Sequence, residues 1–367
     1  MASSLKMKMD YTRHRLQLKF DAGTSRGVLK TKDTFYIRVS SDDFPGIKGY
    51  GEAGPLPKLS IDDTSDFENH LARLCQAIST DTLPRTENEV LDWVDERVPN
   101  ELPSVRFALE TALLDLLHGG KKRILPNAFY DSKEAIAING LIWMGARDFM
   151  LDQIRQKLAQ GYTCIKMKIG SIDFEQEYAL LADIRKQYNA DQITLRVDAN
   201  GAFSTAEALT KLHRLSELDI HSIEQPIRQR QWNAMKVLAQ SSPIPIALDE
   251  ELIGISNLED KERLLDDIQP QYIILKPTLV GGIKATREWI RLAEERGIGW
   301  WMTSALESNI GLNAITQLTS TYDPVIPQGL GTGQLYHNNI DSPLTVERGR
   351  IFYRDGCSWG DMESLFC

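Results

Sequence analysis

The sequence predicts an α/β chain in which a closed barrel of alternating strands and helices follows a separate α+β unit. Three observations carry that expectation. The first stretch of roughly 120 residues runs strands first and helices afterwards. Beyond it, short apolar runs alternate with amphipathic stretches. Charged residues then end successive runs at nearly even intervals.

From Tyr11 to about Ala53 the pattern alternates, as in HRLQLKF and DTFYIRVS, with Gly23, Ser25 and Gly27 as turn residues between runs. This reads as an antiparallel meander. Helical spacing follows over 63–78, 86–96 and 103–118, with Pro103 and Ser104 suited to open the last helix. Gly119, Gly120, Lys121 and Lys122 break the pattern before Pro126, so the boundary falls near 120–132. The expected division is a capping unit over 1–125, a barrel over 126–340 and a C-terminal segment over 341–367 that returns to the capping unit.

The expected barrel strands are AIAING (135–140), CIKMKI (164–169), TLRVDA (194–199), HSIE (221–224), IPIALD (244–249), YIILK (272–276), WWMTS (300–304) and VIPQGLG (325–331). Ser204 and Glu207 have the spacing of a capping box for one intervening helix. Eight such units without an interrupting domain favour closure over an open sheet, because closure gives every strand two partners.

Composition narrows the function. Lys and Arg number 42 against 51 Asp and Glu, a formal charge of −9, which argues against general affinity for nucleic acid or anionic lipid. The four cysteines (75, 164, 357 and 367) form no C-x-x-C pair, so neither a zinc knuckle nor a disulfide framework is expected. The N-terminal residues have no apolar run typical of a signal peptide, and no stretch is long and apolar enough to span a membrane, so a cytoplasmic location is expected. Nothing in the sequence specifies an oligomer.

In such barrels the reactive groups stand at the C-terminal ends of strands. Here those ends carry Lys166 and Lys168, Asp198, Glu224, Asp249 and Lys276, with intervals of 30, 26, 25 and 27 residues from Lys168 onward. Equivalent positions on successive strands converge on one mouth. Three converging carboxylates repel one another and push at least one pKa up unless a cation joins them. An all-oxygen set suits a hard ion, so Mg²⁺ is expected at Asp198, Glu224 and Asp249, with Mn²⁺ as a substitute. Lys166 and Lys168 project to one face, and Lys276 arrives from the far side of the acids. A lysine near other cations loses proton affinity and becomes usable as a general base. The set suits proton abstraction beside the carboxylate of a small molecule.

The motifs KMK (166–168), VDAN (197–200), EQP (224–226), LDE (248–250) and LKP (275–277) resemble the enolase superfamily, in the branch that includes muconate-lactonizing enzymes. Within it, SRGVLKTKDTFYI (25–37), YGEAGPLPKLS (50–60), MTSALESNIGLNAI (302–315) and GLGTGQLYHNNIDSPL (329–344) are similar to the o-succinylbenzoate synthase family. The resemblance implies a modified (β/α)7β barrel with an α+β cap, and dehydration of 2-succinyl-6-hydroxy-2,4-cyclohexadiene-1-carboxylate in menaquinone or phylloquinone synthesis. It makes Lys168 the base, Lys276 the opposed ammonium and Lys166 a support for the substrate carboxylate that also depresses the pKa of its neighbour. It makes 22–27 and 50–60 lid loops, and gives Ser304, Gly331 and Thr332 to the succinyl tail.

Other signals read as structural. GLGTG (329–333) lacks dinucleotide spacing and no long helix follows it. His118 and His221 are expected as core or helix-end residues, Trp300 and Trp301 as strand packing, and Glu307 and Ser308 as helix caps. Asn200 is expected beside the metal site or as a loop former, and Asp249 is preferred to Glu250 as the ligand. Two alternatives stand beside the synthase: an N-acylamino acid racemase using the same lysine pair, and a barrel that binds without turnover. A dipeptide epimerase fits poorly, since 325–333 lacks the expected Asp-x-Asp.

Overall fold

The computed structural model describes residues 7–24, 27–78 and 82–366. Ser25 and Arg26 of the expected 22–27 loop, the N-terminal residues 1–6 and Cys367 lie outside the described residues.

Strands β1 (Met7–Thr24), β2 (Gly27–Ser41) and β3 (Lys48–Ala53) form an antiparallel sheet in that order. Met7, Met9, Phe35, Ile37 and Val39 are buried on one face, as period-two alternation requires. Helices α1 (Phe67–Ile78), α2 (Glu87–Arg97) and α3 (Pro103–Leu117) follow. Pro103 opens α3 at a position where its missing N–H has no helical partner to lose. The first helix starts later than its apolar spacing suggests, because 61–66 form turns after Ser60.

Helix α3 is buried on every side from Pro103 to Leu116. Its close approach to β3 depends on two glycines. A Cβ at Gly51 would lie 1.9 Å from Ala108 O, and one at Gly49 would lie 2.0 Å from Ala112 O. Two buried acids on α3 fix its neighbours. Asp115 accepts the Tyr50 N–H at 3.0 Å and also the Lys122 N–H. Glu110 reaches the barrel, as described below.

The barrel begins with β4 (Ile136–Ala137) and β5 (Gly140–Ile142), where the sequence suggests a single strand over 135–140. The break has a cause in partners: Ile136 and Ala137 pair with the C-terminal hairpin, and pairing with β6 starts only at Gly140. The order continues α4 (Arg147–Ala159), β6 (Cys164–Lys168), α5 (Phe174–Gln187), β7 (Thr194–Asp198), α6 (Ala208–Ser216), β8 (Ile220–Glu224), α7 (Trp232–Ser241) and β9 (Ile246–Leu248). Then come α8 (Leu258–Ile268), β10 (Tyr272–Leu275), the short α9 (Pro277–Val280), α10 (Gly282–Glu294), β11 (Gly299–Met302) and α11 (Asn309–Ser320). Of the expected capping box before α6, one half forms: Glu207 Oε1 accepts the Ser204 N–H at 3.1 Å, and the helix starts at Ala208.

Seven strands pair in the parallel order β5-β6-β7-β8-β9-β10-β11. The expected eighth strand is irregular and still closes the ring. Gln328 bonds to the backbone of Ala137 and Asn139, while Gly329 bonds to Met302 and Ser304. The result is a (β/α)7β barrel carrying an α+β cap. Below the mouth the interior is filled. Trp301 packs with Ala247 and Ile274, and the Arg196 guanidinium lies 4.2 Å from the Trp301 ring centroid. Trp300 turns outward against Tyr322. His221 stacks on Tyr272, and burial lowers its pKa to about 4, so it is neutral packing at pH 7. His118 terminates α3.

Past the barrel, β12 (Leu344–Glu347) and β13 (Arg350–Tyr353) form a hairpin, with β13 paired to β4. The chain then reaches the cap sheet. Glu363 accepts from Arg38, Lys48 and the Tyr50 hydroxyl, and the Arg38 guanidinium stacks 4.3 Å from the Phe366 ring centroid.

Candidate active site

Strand register sets the site. Lys168 lies opposite Asp198, and Asp198 opposite Glu224, on three adjacent parallel strands. Asp249 and Lys276 directly follow β9 and β10. The six expected residues, Lys166, Lys168, Asp198, Glu224, Asp249 and Lys276, are all at most 8% exposed.

The ammonium groups interleave with the carboxylates. Lys166 Nζ donates to Glu224 Oε2 at 2.5 Å and lies 3.2 Å from Asp198 Oδ2. Lys168 Nζ donates to Asp198 Oδ2 at 3.0 Å, and Lys276 Nζ donates to Asp249. Burial alone would lower both the Lys166 and Lys276 pKa values. The facing carboxylates outweigh it, Glu224 first for Lys166 and Asp249 first for Lys276, and hold both above the ordinary lysine value. Asp198 is raised by burial but driven below the usual carboxylate range by Lys168, Lys166 and Lys276. Glu224 goes the other way: burial and then the Asp198 charge hold its pKa well above normal.

Glu224 also has a buried oxygen, Oε1, without a hydrogen-bond partner. Among the described residues, no three His, Cys, Asp or Glu side chains are gathered tightly enough to hold a metal ion as they stand. The donor chemistry nonetheless fits a hard divalent cation. A second positive charge would relieve the repulsion on Glu224 and would meet its unpartnered oxygen.

Asn200 organises the rim. Its φ of 43° is left-handed, a conformation asparagine tolerates better than most residues. Its Oδ1 accepts from Lys168 Nζ at 2.7 Å, its Nδ2 donates to Glu250 Oε1 at 2.9 Å, and its N–H reaches Asp198 Oδ1 at 3.0 Å. Asp249 faces Lys276 whereas Glu250 faces Asn200, so the adjacent acids have separate partners. Gln225, also left-handed at φ 40°, accepts the N–H groups of Asp249 and Glu251 through Oε1 and ties β8 to the turn after β9.

A cavity of about 420 Å³ opens over these groups. Lys166, Lys168, Asp198, Asn200 and Lys276 line its floor, and Ser304, Gly331 and Thr332 line one wall. Phe20, Val28, Leu29, Leu56 and Pro57 from the cap cover it, so the segments after the 22–27 turn and within 50–60 face the same space.

Behind Ser304 lies a buried network that the sequence reading missed. Glu307 is fully buried and accepts from Ser304 Oγ, the Ala305 N–H at 2.7 Å and Thr278 Oγ1 at 2.5 Å. Ser308 does cap α11, but its N–H and hydroxyl also go to the buried Glu52 of β3, at 2.8 and 2.6 Å. Lys32 of β2 is 1% exposed, and its Nζ has no hydrogen-bond partner. Burial depresses the Lys32 pKa, and Glu52 and then Glu307 oppose that shift. Conversely, burial raises the Glu307 pKa, with Lys32 opposing. The sequence signal is weak: Lys32, Glu52 and Glu307 sit in TKDTFYI, YGEAG and TSALES, and only Glu52 stands out as a charge among small or apolar neighbours.

Residues 150–360 match the family described as enolase C-terminal domain-like. The o-succinylbenzoate synthase of Desulfotalea psychrophila is 48% identical over 94% of this chain and 98% of its own. The crystal structure of MenC from the same organism superposes with a TM-score of 0.85 at 44% identity, covering 95% of this chain and 99% of that one. Muconate lactonizing enzyme from Pseudomonas fluorescens, at 22% identity and a TM-score of 0.84 over 100% of this chain and 99% of its own, shares the fold. On these likenesses the chain belongs to the o-succinylbenzoate synthase family of the enolase superfamily.

Proposed function

We propose that the protein is a hydro-lyase that removes water from 2-succinyl-6-hydroxy-2,4-cyclohexadiene-1-carboxylate to give 2-succinylbenzoate. The observation that carries this reading is the pair of lysines flanking the acids in one cavity: Lys168 beside Asp198, and Lys276 beside Asp249. Asp198, Glu224 and Asp249 would hold Mg²⁺. When bound, the ion would supply positive charge at the substrate's ring carboxylate.

The chain's own residues do the rest. Lys168, as the free amine, takes the proton from the ring carbon that bears the carboxylate. The electrons of that C–H bond move into the carboxylate, and Lys276, as an ammonium, stabilises the enediolate that forms. Lys168 then returns its proton to the departing hydroxyl. The C–O bond breaks, the ring becomes aromatic and water leaves. Asn200 and Asp198 fix the position of the Lys168 amine, and Lys166 sits beside the acids as permanent positive charge. Residues 1–125 act as cap and lid, 126–340 as the catalytic barrel, and 341–367 joins barrel to cap.

The test is loss of diene absorbance with Mg²⁺ and with chelator, alongside polarimetry on N-succinyl amino acids. Metal-dependent dehydration without racemisation supports the reading. The opposed lysines also favour a second reading, N-acylamino acid racemisation, which rotation without dehydration would establish.

A further inference from the structure

We propose that Lys157, on α4, is the counter-charge for the second carboxylate of the substrate, and so makes its part of the cavity lining a dicarboxylate-selecting subsite. The proposal rests on the reading above, in which the substrate carries one carboxylate on its ring and another on a succinyl arm.

The second carboxylate needs a partner. Phe20, Leu29, Trp143, Phe149 and Leu335 make the cavity wall largely apolar, and an ionised carboxylate buried against such a wall without a partner is strongly disfavoured. The Ser304 and Thr332 hydroxyls of the cavity wall do not offer one. Ser304 gives its proton to Glu307 and accepts from Thr332 Oγ1 at 2.7 Å and the Leu306 N–H at 3.0 Å. Each hydroxyl has one proton, and both are directed away from a bound anion.

Among the lysines lining the cavity, Lys166, Lys168 and Lys276 are bonded to carboxylates, and Lys58 is exposed on its loop. Lys157 differs. It is half-buried, its ammonium lies 4.9 Å from the Tyr162 ring centroid, and no ion pair reaches it among the described residues. Burial lowers its pKa with no carboxylate opposing the shift. An anion arriving here would be the first negative charge the group meets.

A helix residue reaches the cavity because the adjoining strand leaves room. A Cβ at Gly140 would lie 3.1 Å from Lys157 Cγ and 3.2 Å from its Cβ, so the missing side chain opens the path past β5. Beside it, Asn139 lines the same cavity, is 5% exposed, and has a buried Oδ1 without a partner. An amide is read in either orientation, so Asn139 can turn its NH₂ to the same carboxylate.

The test uses full-length protein with Mg²⁺. Calorimetry would compare 2-succinylbenzoate with benzoate, which lacks the arm, on wild type, Lys157→Met and Lys157→Arg. The expected result is tenfold or greater weakening of 2-succinylbenzoate binding in Lys157→Met, partial recovery in Lys157→Arg, and unchanged benzoate binding. In turnover, KM for the hydroxycyclohexadiene dicarboxylate should rise by the same factor with kcat within about twofold. Unchanged 2-succinylbenzoate binding in Lys157→Met would overturn the proposal. So would equal weakening of benzoate, or a loss that appears in Lys58→Met instead. Because calorimetry needs no turnover, a wild type that fails to dehydrate its substrate yet binds 2-succinylbenzoate through Lys157 removes the proposed reaction and keeps the subsite.

Discussion

Lys168 Nζ is held between two oxygens of different charge, Asn200 Oδ1 at 2.7 Å and Asp198 Oδ2 at 3.0 Å. The neutral acceptor sits on a residue whose backbone is left-handed and whose amide is anchored to Glu250. The position of the proposed base therefore depends on a loop conformation as well as on a strand.

Asn200→Ala should lower kcat by ~10- to 100-fold and change KM less. It removes the acceptor that aims Lys168 and the tie to Glu250, and a positioned base is worth about 10²- to 10⁴-fold in general acid–base catalysis. Steady-state kinetics with a circular dichroism control measures this. A KM rise with unchanged kcat would assign Asn200 to substrate binding instead.

Lys168→Ala should remove dehydration by at least ~10³-fold with the fold intact, because the other amine on its side of the acids, Lys166, is tied up by Glu224 and Asp198 as an ammonium. Asp249→Asn should act chiefly through the metal, raising the Mg²⁺ concentration needed for half-maximal rate. Mg²⁺ titration of both variants separates the two effects. Full activity in the lysine variant would sink the mechanism.

Glu110 links cap to barrel. Its carboxylate accepts the Ile283 N–H, and the Lys284 N–H at 3.3 Å, at the start of α10, and the approach requires Gly282, where a Cβ would lie 2.2 Å from Glu110 Oε2. Burial pushes its pKa up to about 8 from an ordinary 4.5. The folded state thus holds a proton that the unfolded chain releases. Its contribution is fully present below pH 4.5 and is lost as pH rises through about 8. Denaturant melts of wild type and Glu110→Gln across that range should show the difference shrinking with pH, by at most ~1.4 kcal/mol per pH unit. A constant difference would mean that Glu110 is ionised in the fold.

Much of this was legible in the sequence, for definable reasons. The carboxylates and lysines of the mouth fall at strand ends of regular spacing, and closure of a barrel brings such positions together whatever the loops do. Period-two alternation likewise exposed the cap sheet. The split of 135–140 into β4 and β5 was not legible, because it depends on a hairpin more than 200 residues later in the chain. Nor was the elevation of the Lys166 pKa, which comes from Glu224 2.5 Å away, and a pattern of residue types carries no distances. Glu307 was read as a helix cap because its position before α11 fits one. Its carboxylate instead accepts from Ser304, Ala305 and Thr278 and faces the charge of Lys32 on β2, far away in sequence.

That network yields the last prediction. Lys32 brings one positive charge to a region holding Glu52 and Glu307, all three essentially inaccessible to water. Lys32→Met would leave the acids without it, and breaking a buried charge arrangement from one side costs ~3–5 kcal/mol. Glu307→Gln strands the lysine from the other side and loosens Ser304 and Thr278. If the charges act as a unit, Lys32→Met with Glu307→Gln should be less destabilised than the sum of the single variants, with a coupling of ~1–3 kcal/mol in denaturant melts. Strict additivity would mean that Lys32 answers to Glu52 alone. In that case the cap would govern its own sheet and leave the Ser304 wall of the cavity to the barrel.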